Sequence, residues 1–366
     1  MTSINIILST FFKGSFEVKN SNLNQLKKQF QLIQKIRNFF LKENFTDVIT
    51  PPMVQNPGME VHIHPFKVSS LHLQSSNSHQ QEYFLQTSPE FHMKELLSYG
   101  FENIFTINYS FRDEPSSPIH RKQFLMLEWY RAHQGQDKII DDCIQLIHHC
   151  LNSELQLKIP ITIKTVQEIF LEILNIDILE YLELEKLRNL IVEKFPSVPL
   201  PPLTAHSKIN LKWDDYYFLL FLNCIEPKLS TYPVLIIKDF PEPLKALAKI
   251  KASNPKVALR HELFIYGIEV ANCYEELTDF NEQERRINLW QKEKSEIYNY
   301  QLPYPEVLMD SLKRGLPPSA GIAMGIERLL LGLEILENPL LLKALQENQI
   351  NAPFWPTHQE LSAPLK

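Results

Sequence analysis

Glycine is scarce in this chain, nine residues in 366, against a usual share of about 7%. Four of the nine, Gly315, Gly321, Gly325 and Gly332, nevertheless fall close together near the C-terminal end. A sequence that spares glycine and then clusters it uses backbone openness there, for close approach of a ligand or of another segment. Cysteine is scarcer still: Cys143, Cys150, Cys224 and Cys273 make no CxxC pair and no zinc-like run. That usage reads as reduced thiols in a cytoplasmic protein and excludes a disulfide framework. The apolar start, Ile4 to Phe12, is interrupted by Asn5, Ser9 and Thr10 and follows no basic residue, so it fits neither a signal peptide nor a membrane span. There is no excess of cations either. Thirty-seven Lys+Arg against 43 Asp+Glu give a formal charge of −6, which leaves no global basic field to hold a polyanion and disfavours a tRNA or DNA binder. GxxxxGK[ST] and GxGxxG are both absent, removing the P-loop and Rossmann readings.

What is present is a globular composition, 44% hydrophobic and 22% charged, enough for a sizeable core in two domains or in one catalytic domain with a helical insertion. Leu23, Leu26, Phe30, Ile33, Ile36 and Phe40 recur at helical spacing, predicting a long amphipathic helix over 22–43. Phe45 to Thr50 reads as a strand stopped by Pro51-Pro52. Ser88 as N-cap, Pro89 as first helical residue and Gly100 as terminator delimit a short helix carrying Glu90, His92 and Lys94. Ile104 to Arg112 alternates cleanly, and a polar loop links it to a run in which Phe124, Met126, Glu128 and Tyr130 share one face. The two form a long-looped antiparallel hairpin. Charged and aromatic groups on one face of central strands are costly to desolvate, so that face lines a polar cavity. Residues 137–230 are mostly helical in pattern, broken by the proline-rich Phe195 to Leu203, and read as an insertion without assignable chemistry. Strand character returns at Tyr232 to Lys238, Glu262 to Asn272 and Ala320 to Met324, with Gly325 as hinge before a helix over Ile326 to Glu337.

The chemistry on these elements is arginine with carboxylate (Arg112 and Glu114), carboxylates on a strand (Glu262 and Glu269), and Arg328 in the first turn of a glycine-preceded helix. A planar, permanently charged guanidinium suits phosphate. Paired carboxylates facing phosphates suit Mg²⁺, and a helix N-terminus adds amide donors. The set supports nucleotide-dependent activation on an antiparallel sheet, with surface ion pairs as the plain alternative. His62 and His64 share a strand face in this reading, but a third metal ligand is missing.

More specific is the order of the motifs. Phe111-Arg112-Asp113-Glu114 with Phe124-Leu125-Met126-Leu127-Glu128 resembles motif 2 of class II aminoacyl-tRNA synthetases, Gly321 to Leu329 resembles motif 3, and the helix and strand before Pro51 resemble motif 1, the dimer-forming element. Thr87 to Lys94, Glu128 to Arg131, Gly267 to Asn272 and Glu276 to Asp279 are similar to the lysyl-tRNA-synthetase-like ligases that attach (R)-β-lysine to elongation factor P. The resemblance runs from about residue 23 to 335. A dimer helix starting near residue 22, and about 30 residues after motif 3, leave no room for an anticodon-binding barrel. Ala323 stands where lysyl-tRNA synthetases carry glycine and where the β-lysine ligases carry alanine.

The resemblance implies an α+β, class II catalytic fold with an antiparallel sheet flanked by helices, using ATP and Mg²⁺. It divides the chain into an extension (1–21), a core with motifs 1 and 2 (22–136), the insertion (137–230), a core with motif 3 (231–340) and a tail (341–366). Arg112 and Glu114 would hold the α-phosphate region and the adenine or amine side, and Arg328 the γ-phosphate. His120, Arg121 and Gly325 complete the nucleotide side. Glu262 and Glu269 would hold the metal. Ser88, Glu90, Glu128, Tyr130, Asn272, Glu276 and Ala323 would hold (R)-β-lysine or lysine. Ser88 also reads as a helix cap, and Tyr130 with Glu128 as a buried hydrogen-bonded pair. Glu269 and Asn272 have opposite strand parity, so both face the site only if the strand ends or bulges between them. After His120 the family continues Asn-Pro-Glu, whereas this chain has Arg121-Lys122-Gln123. That change bears on the adenine-side contacts, and the extra cations meet either phosphate or a protein partner. The implied protein is a cytoplasmic homodimer acting on elongation factor P, not on tRNA or a membrane. Its rivals are a free-standing amino-acid activator and a catalytically silent binding paralogue.

Overall fold

The computed structural model describes residues 23–70, 82–151, 158–200 and 211–354. The segment Ile4 to Phe12, the end of the proline-rich stretch and the last part of the C-terminal tail lie outside them. Eleven strands are described: β1 (Thr46–Asp47), β2 (Met53–Val54), β3 (Lys67–Val68), β4 (Tyr83–Leu85), β5 (Asn103–Phe111), β6 (Gln123–Ala132), β7 (Ile161–Thr165), β8 (Val234–Pro241), β9 (Val257–Ile265), β10 (Ile268–Glu275) and β11 (Ser319–Gly325). Helices are α1 (23–42), α2 (Glu90–Ser98), α3 (Gln136–Cys150), α4 (Val166–Leu174), α5 (Leu184–Lys194), α6 (Trp213–Leu220), α7 (Glu226–Leu229), α8 (Phe280–Tyr298), α9 (Glu306–Arg314), α10 (Ile326–Glu337) and α11 (Leu340–Gln346).

The main sheet runs β1-β5-β6-β11-β10-β9-β8-β7, and β2, β4 and β3 form a small second one. Its centre is antiparallel as expected, but both edges are parallel, β1 on β5 and β7 on β8. The strand expected over Phe45 to Thr50 shrinks to Thr46–Asp47, with Val48 N still donating to Phe105 O at 2.8 Å. The run expected as one strand over Glu262 to Asn272 is instead the β9–β10 hairpin. Tyr266 and Gly267 both take positive φ, 46° and 81°, the geometry of a tight two-residue reversal. Tyr-Gly is a weak turn signal, which is why the alternation reads straight through it.

On one face of the sheet, α1, α3 and α10 cover Phe105, Leu127, Trp129 and Ile322. Helix α1 buries Leu32, Ile36, Phe39 and Phe40, whereas Leu23 and Phe30 of the expected stripe stay 54% and 47% exposed. The sequence stripe thus merges two faces of the helix. Within the segment expected as an insertion, α3 joins this main core and β7 joins the sheet edge. From Val166 to Leu229 the chain builds a second cluster on Leu235, Ile237 and Phe264, with Tyr217 stacked between Trp213 and Phe221.

Glycine is used where close approach demands it. A Cβ on Gly321 would stand 2.0 Å from Cε1 of the buried Tyr130 ring, and one on Gly332 would stand 2.8 Å from Ile265 Cδ1. Overpacking of this kind costs about 1–3 kcal/mol where neighbours cannot yield. Thermal unfolding should therefore show Gly321→Ala more destabilised than Gly332→Ala, since the clash at 321 meets a ring and the clash at 332 chiefly meets an aliphatic tip. The reverse order would show that Tyr130 is free to move.

Candidate active site

A cavity opens on the opposite face of the sheet, over two cross-strand rows. Register aligns Thr106, Glu128, Ala323, Asn272 and Glu262 across β5, β6, β11, β10 and β9. The adjacent row holds Tyr130, Gly321, Tyr274 and Arg260. Residues directly opposite one another share a face, so strands distant in sequence deliver their polar groups together. The parity conflict between Glu269 and Asn272 is resolved by a bulge. Glu269 pairs with Phe264 and Ala271 with Leu263, leaving Val270 as the extra residue that brings Glu269 onto the face of Asn272.

One end of the cavity is cationic. Gly325 precedes α10, and Arg328 in its first turn donates to Glu269 O (2.9 Å) and Ile119 O (3.2 Å). Its Nη2 also lies 2.8 Å from His120 Nε2. A guanidinium has only N–H to offer, so Nε2 accepts and the ring proton sits on Nδ1, 2.7 Å from Ser117 Oγ. Burial, then Arg328 and Arg112, hold His120 below its ordinary pKa, consistent with that neutral tautomer. Arg112 lies 5.4 Å over the Phe124 ring. Glu114 and Arg121 line the same end.

The other end is acidic. Helix α2 starts at Glu90 with Pro89 as its N-cap, one residue later than expected; Ser88 Oγ accepts from Glu90 N (3.1 Å) and donates to Glu128 Oε1 (2.5 Å). Tyr130 Oη donates to Glu128 Oε2 (3.2 Å). Lys94 is buried between Glu90 (2.5 Å) and Glu276 (2.7 Å). Burial opposes its charge, but the two carboxylates outweigh it and raise its pKa. Burial pushes Glu128 up to about 8, with Glu90 adding repulsion, and Glu276 up to about 7, against the pull of Lys94.

Ser88, Glu90, Arg112, Glu114, His120, Arg121, Glu269, Asn272, Ala323, Gly325 and Arg328 all line this one cavity. Glu128 and Glu276 stand behind the lining, in contact with Ser88 and Lys94 respectively, and Tyr130 bonds Glu128. Glu262 does not line it: it pairs with Arg260, whose Nε reaches Asn272 Oδ1 at 3.3 Å. Burial brings Glu262 up to about 7, Arg260 tempers the rise and Glu269 adds to it, so the two carboxylates feel one another. Among the described residues no group of three or more His, Cys, Asp or Glu is arranged to hold a metal.

Several lining residues escaped the sequence reading. Tyr274 shares the parity of Asn272 and was legible. Glu60 and Ile63 arrive on a loop pinned by Lys294, whose Nζ donates to Glu60 O, Val61 O and Ile63 O at 2.7–2.9 Å. His62 and His64 sit on this loop, not on a strand, and bond Tyr298 Oη and Tyr300 Oη. Phe354 comes from the tail, where no periodicity points to it.

An antiparallel sheet that brings an arginine from a long-looped hairpin and another from a glycine-led helix into one cleft is the architecture of a class II aminoacyl-tRNA synthetase catalytic domain. The family described as tRNA synthetases class II (D, K and N) matches residues 15–338. Among curated proteins, the elongation factor P–(R)-β-lysine ligase of Vibrio cholerae is 33% identical over 317 residues, 85% of this chain and 91% of the relative. Those of Hamiltonella defensa (33%, 84% of this chain and 90% of the relative) and Buchnera aphidicola (32%, 85% and 92%) are similar in extent. The chain belongs to this ligase family, ATP-dependent enzymes on the class II synthetase fold.

The raised carboxyl of Glu128 makes stability pH-dependent. From about pH 4.5, the ordinary value, up to about 8 the folded state holds more proton on Glu128 than the unfolded chain does, so stability falls as pH rises. Glu276, Glu262 and Glu327, each brought up to about 7 mainly by burial, act in the same direction. Melting temperature should fall across that window, less steeply in Glu128→Gln. Equal slopes would mean that Glu128 is already ionised in the folded protein.

Proposed function

We propose that the chain adenylates (R)-β-lysine, or lysine, with ATP and transfers the acyl group to a lysine side chain of elongation factor P. The observation that carries this is the polarity of this cavity: guanidinium groups and a neutral histidine at one end, carboxylates flanking Ser88 at the other, and Ala323 between them on the sheet floor. The substrate carboxylate attacks the α-phosphorus and pyrophosphate leaves. The ε-amine of the acceptor then attacks the acyl carbon and AMP leaves. In-line displacement needs positioning and charge stabilisation more than a protein nucleophile.

In this reading Arg112 and Glu114 serve the α-phosphate and the adenine or amine side, Arg328 the γ-phosphate, and His120, Arg121 and Gly325 the rest of the nucleotide. Ser88, Glu90, Asn272 and Ala323 meet the amino acid directly, with Glu128, Tyr130 and Glu276 setting the charge and orientation of that end. Glu262 and Glu269 fit Mg²⁺, which takes one or two carboxylates and fills its octahedron with phosphate oxygens and water. Their mutual repulsion is what a cation would relieve. Bound there, the ion would neutralise charge on the phosphates, while Arg260 keeps Glu262 fixed.

The homodimer belongs to the same reading. Leu23, Phe30 and Leu41 lie seven and eleven residues apart on α1, on one helical face, and are 54%, 47% and 53% exposed. Ile49, 93% exposed, follows directly. The four cysteines are free, as a cytoplasmic setting requires. No helix among the described residues is long and apolar enough to cross a membrane.

ATP–pyrophosphate exchange with a panel of amino acids tests the first half-reaction, with Arg328→Ala expected to lose on the order of two powers of ten. Labelling tests the second. Elongation factor P should be modified on one lysine and lose labelling when that lysine becomes arginine, while tRNA(Lys) stays uncharged at physiological salt. Stable charging of the tRNA would sink the protein-ligase reading, and absent exchange would favour a silent paralogue.

Ala323 is placed to set substrate choice. One methyl group in a packed site shifts discrimination by about 1–3 kcal/mol. Wild type should prefer β-lysine over α-lysine, and Ala323→Gly should narrow or reverse that preference with little change in KM for ATP. An identical kcat/KM ratio in the two proteins would leave Ala323 a packing residue.

A further inference from the structure

The tail beyond motif 3 reaches back to the nucleotide end of the cavity. Ala352 is buried at 4% exposure in the main core and donates its backbone N–H to Pro118 O of the motif 2 loop at 2.8 Å. Ile350 and Phe354 pack against the same core. Phe354 lines the cavity, and the Arg121 guanidinium lies over its ring, 5.4 Å from the centroid. Arg121 is the first residue of the Arg-Lys-Gln stretch that departs from the family pattern, and its neighbour His120 is bonded to Arg328.

We propose that Phe354 is a positioning residue which holds Arg121 as an additional phosphate-binding arginine, so that the C-terminal tail completes the nucleotide site. Three observations converge on this. A guanidinium held over an aromatic face is attracted by the ring quadrupole without using up its N–H donors. The loop carrying Arg121 is held from two sides, by Arg328 through Ile119 O and by the tail through Ala352 N, so the guanidinium is aimed and not merely tethered. Arg328 is attracted by Glu269, repelled by Arg112 and attracted by Glu114, and Arg121 brings a third guanidinium to the same lining. The other cation of the stretch, Lys122, is occupied by Asp113 at 2.5 Å and turns toward Phe66. The inference rests on ATP being bound at this end, as proposed above.

Calorimetric titration of the full-length protein with ATP and Mg²⁺, and separately with AMP, tests it. Phe354→Ala and Arg121→Met should each weaken ATP about two- to fivefold, as expected for a part-exposed cation–aromatic contact, and leave AMP affinity unchanged. Phe354→Tyr, which keeps the ring, should bind ATP like wild type, and Phe354→Leu should behave like the alanine variant. Because both residues act through one contact, the double variant should be no weaker than the worse single one. Unchanged ATP affinity in Phe354→Ala, parallel loss of AMP and ATP, or additive effects in the double variant would overturn the proposal. Wild type that binds ATP yet fails to exchange pyrophosphate would overturn the ligase reading alone and leave this assignment standing.

Discussion

The register of the antiparallel sheet is the constraint on which the rest of this structure depends. Because directly paired residues share a face, aligning Ala323 with Glu128 on one side and Asn272 on the other commits three strands to one polar floor. A slip of one residue anywhere would send Trp129 and Ile322 into the cavity and bury Glu128 in the apolar core. Two local features protect this alignment. Gly321 leaves the space into which the Tyr130 ring folds, and the extra residue at Val270 restores Glu269 to the working face.

With the floor fixed, the electrostatics follow from what is packed around it. Lys94 on α2 is nearly inaccessible, and so is Glu276. Breaking such a buried pair is costly because it strands a charge, and so the start of α2 is locked to the end of β10. Glu128, on β6 two strands away, gets no such partner. Burial raises its pKa to about 8, against the hydrogen bonds that the Ser88 and Tyr130 hydroxyls donate to its two oxygens. At the far end, Arg328 holds His120 in its neutral form and the backbone of Glu269 in place. A site with a shielded acidic end and an open cationic end is polarised along the direction in which an aminoacyl adenylate would lie.

Much of this was legible in the linear sequence. The alternation of Ile104 to Arg112 and of Phe124 to Arg131 identified the central hairpin, because a period of two with charge on one side fits a strand with unlike faces and does not fit a helix. The helix over Ile326–Glu337 follows Gly325 as expected. Clustered glycine in a glycine-poor chain pointed to close approach, which Gly321 and Gly332 show. Opposite parity at Glu269 and Asn272 demanded a bulge or strand end, and a bulge is there. These are local signals: period, parity, capping and backbone freedom are properties of a few consecutive residues, so the sequence determines them by itself.

What the tertiary structure decided is everything that depends on which segments meet. The Tyr266-Gly267 reversal was hidden because each side of it alternates in the same way. On α1, only contact with the sheet separates the buried Leu32, Ile36 and Phe39 from the exposed Leu23 and Phe30. That Glu262 stands just outside the cavity lining, paired with Arg260, is likewise a matter of the fold. Glu60 and Phe354, from a loop near one end of the chain and a tail at the other, line the same cavity. Sequence pattern records which way a side chain points along its own element, but burial, pairing and pKa are set by partners tens to hundreds of residues away, and those partners exist only once the sheet has closed its register.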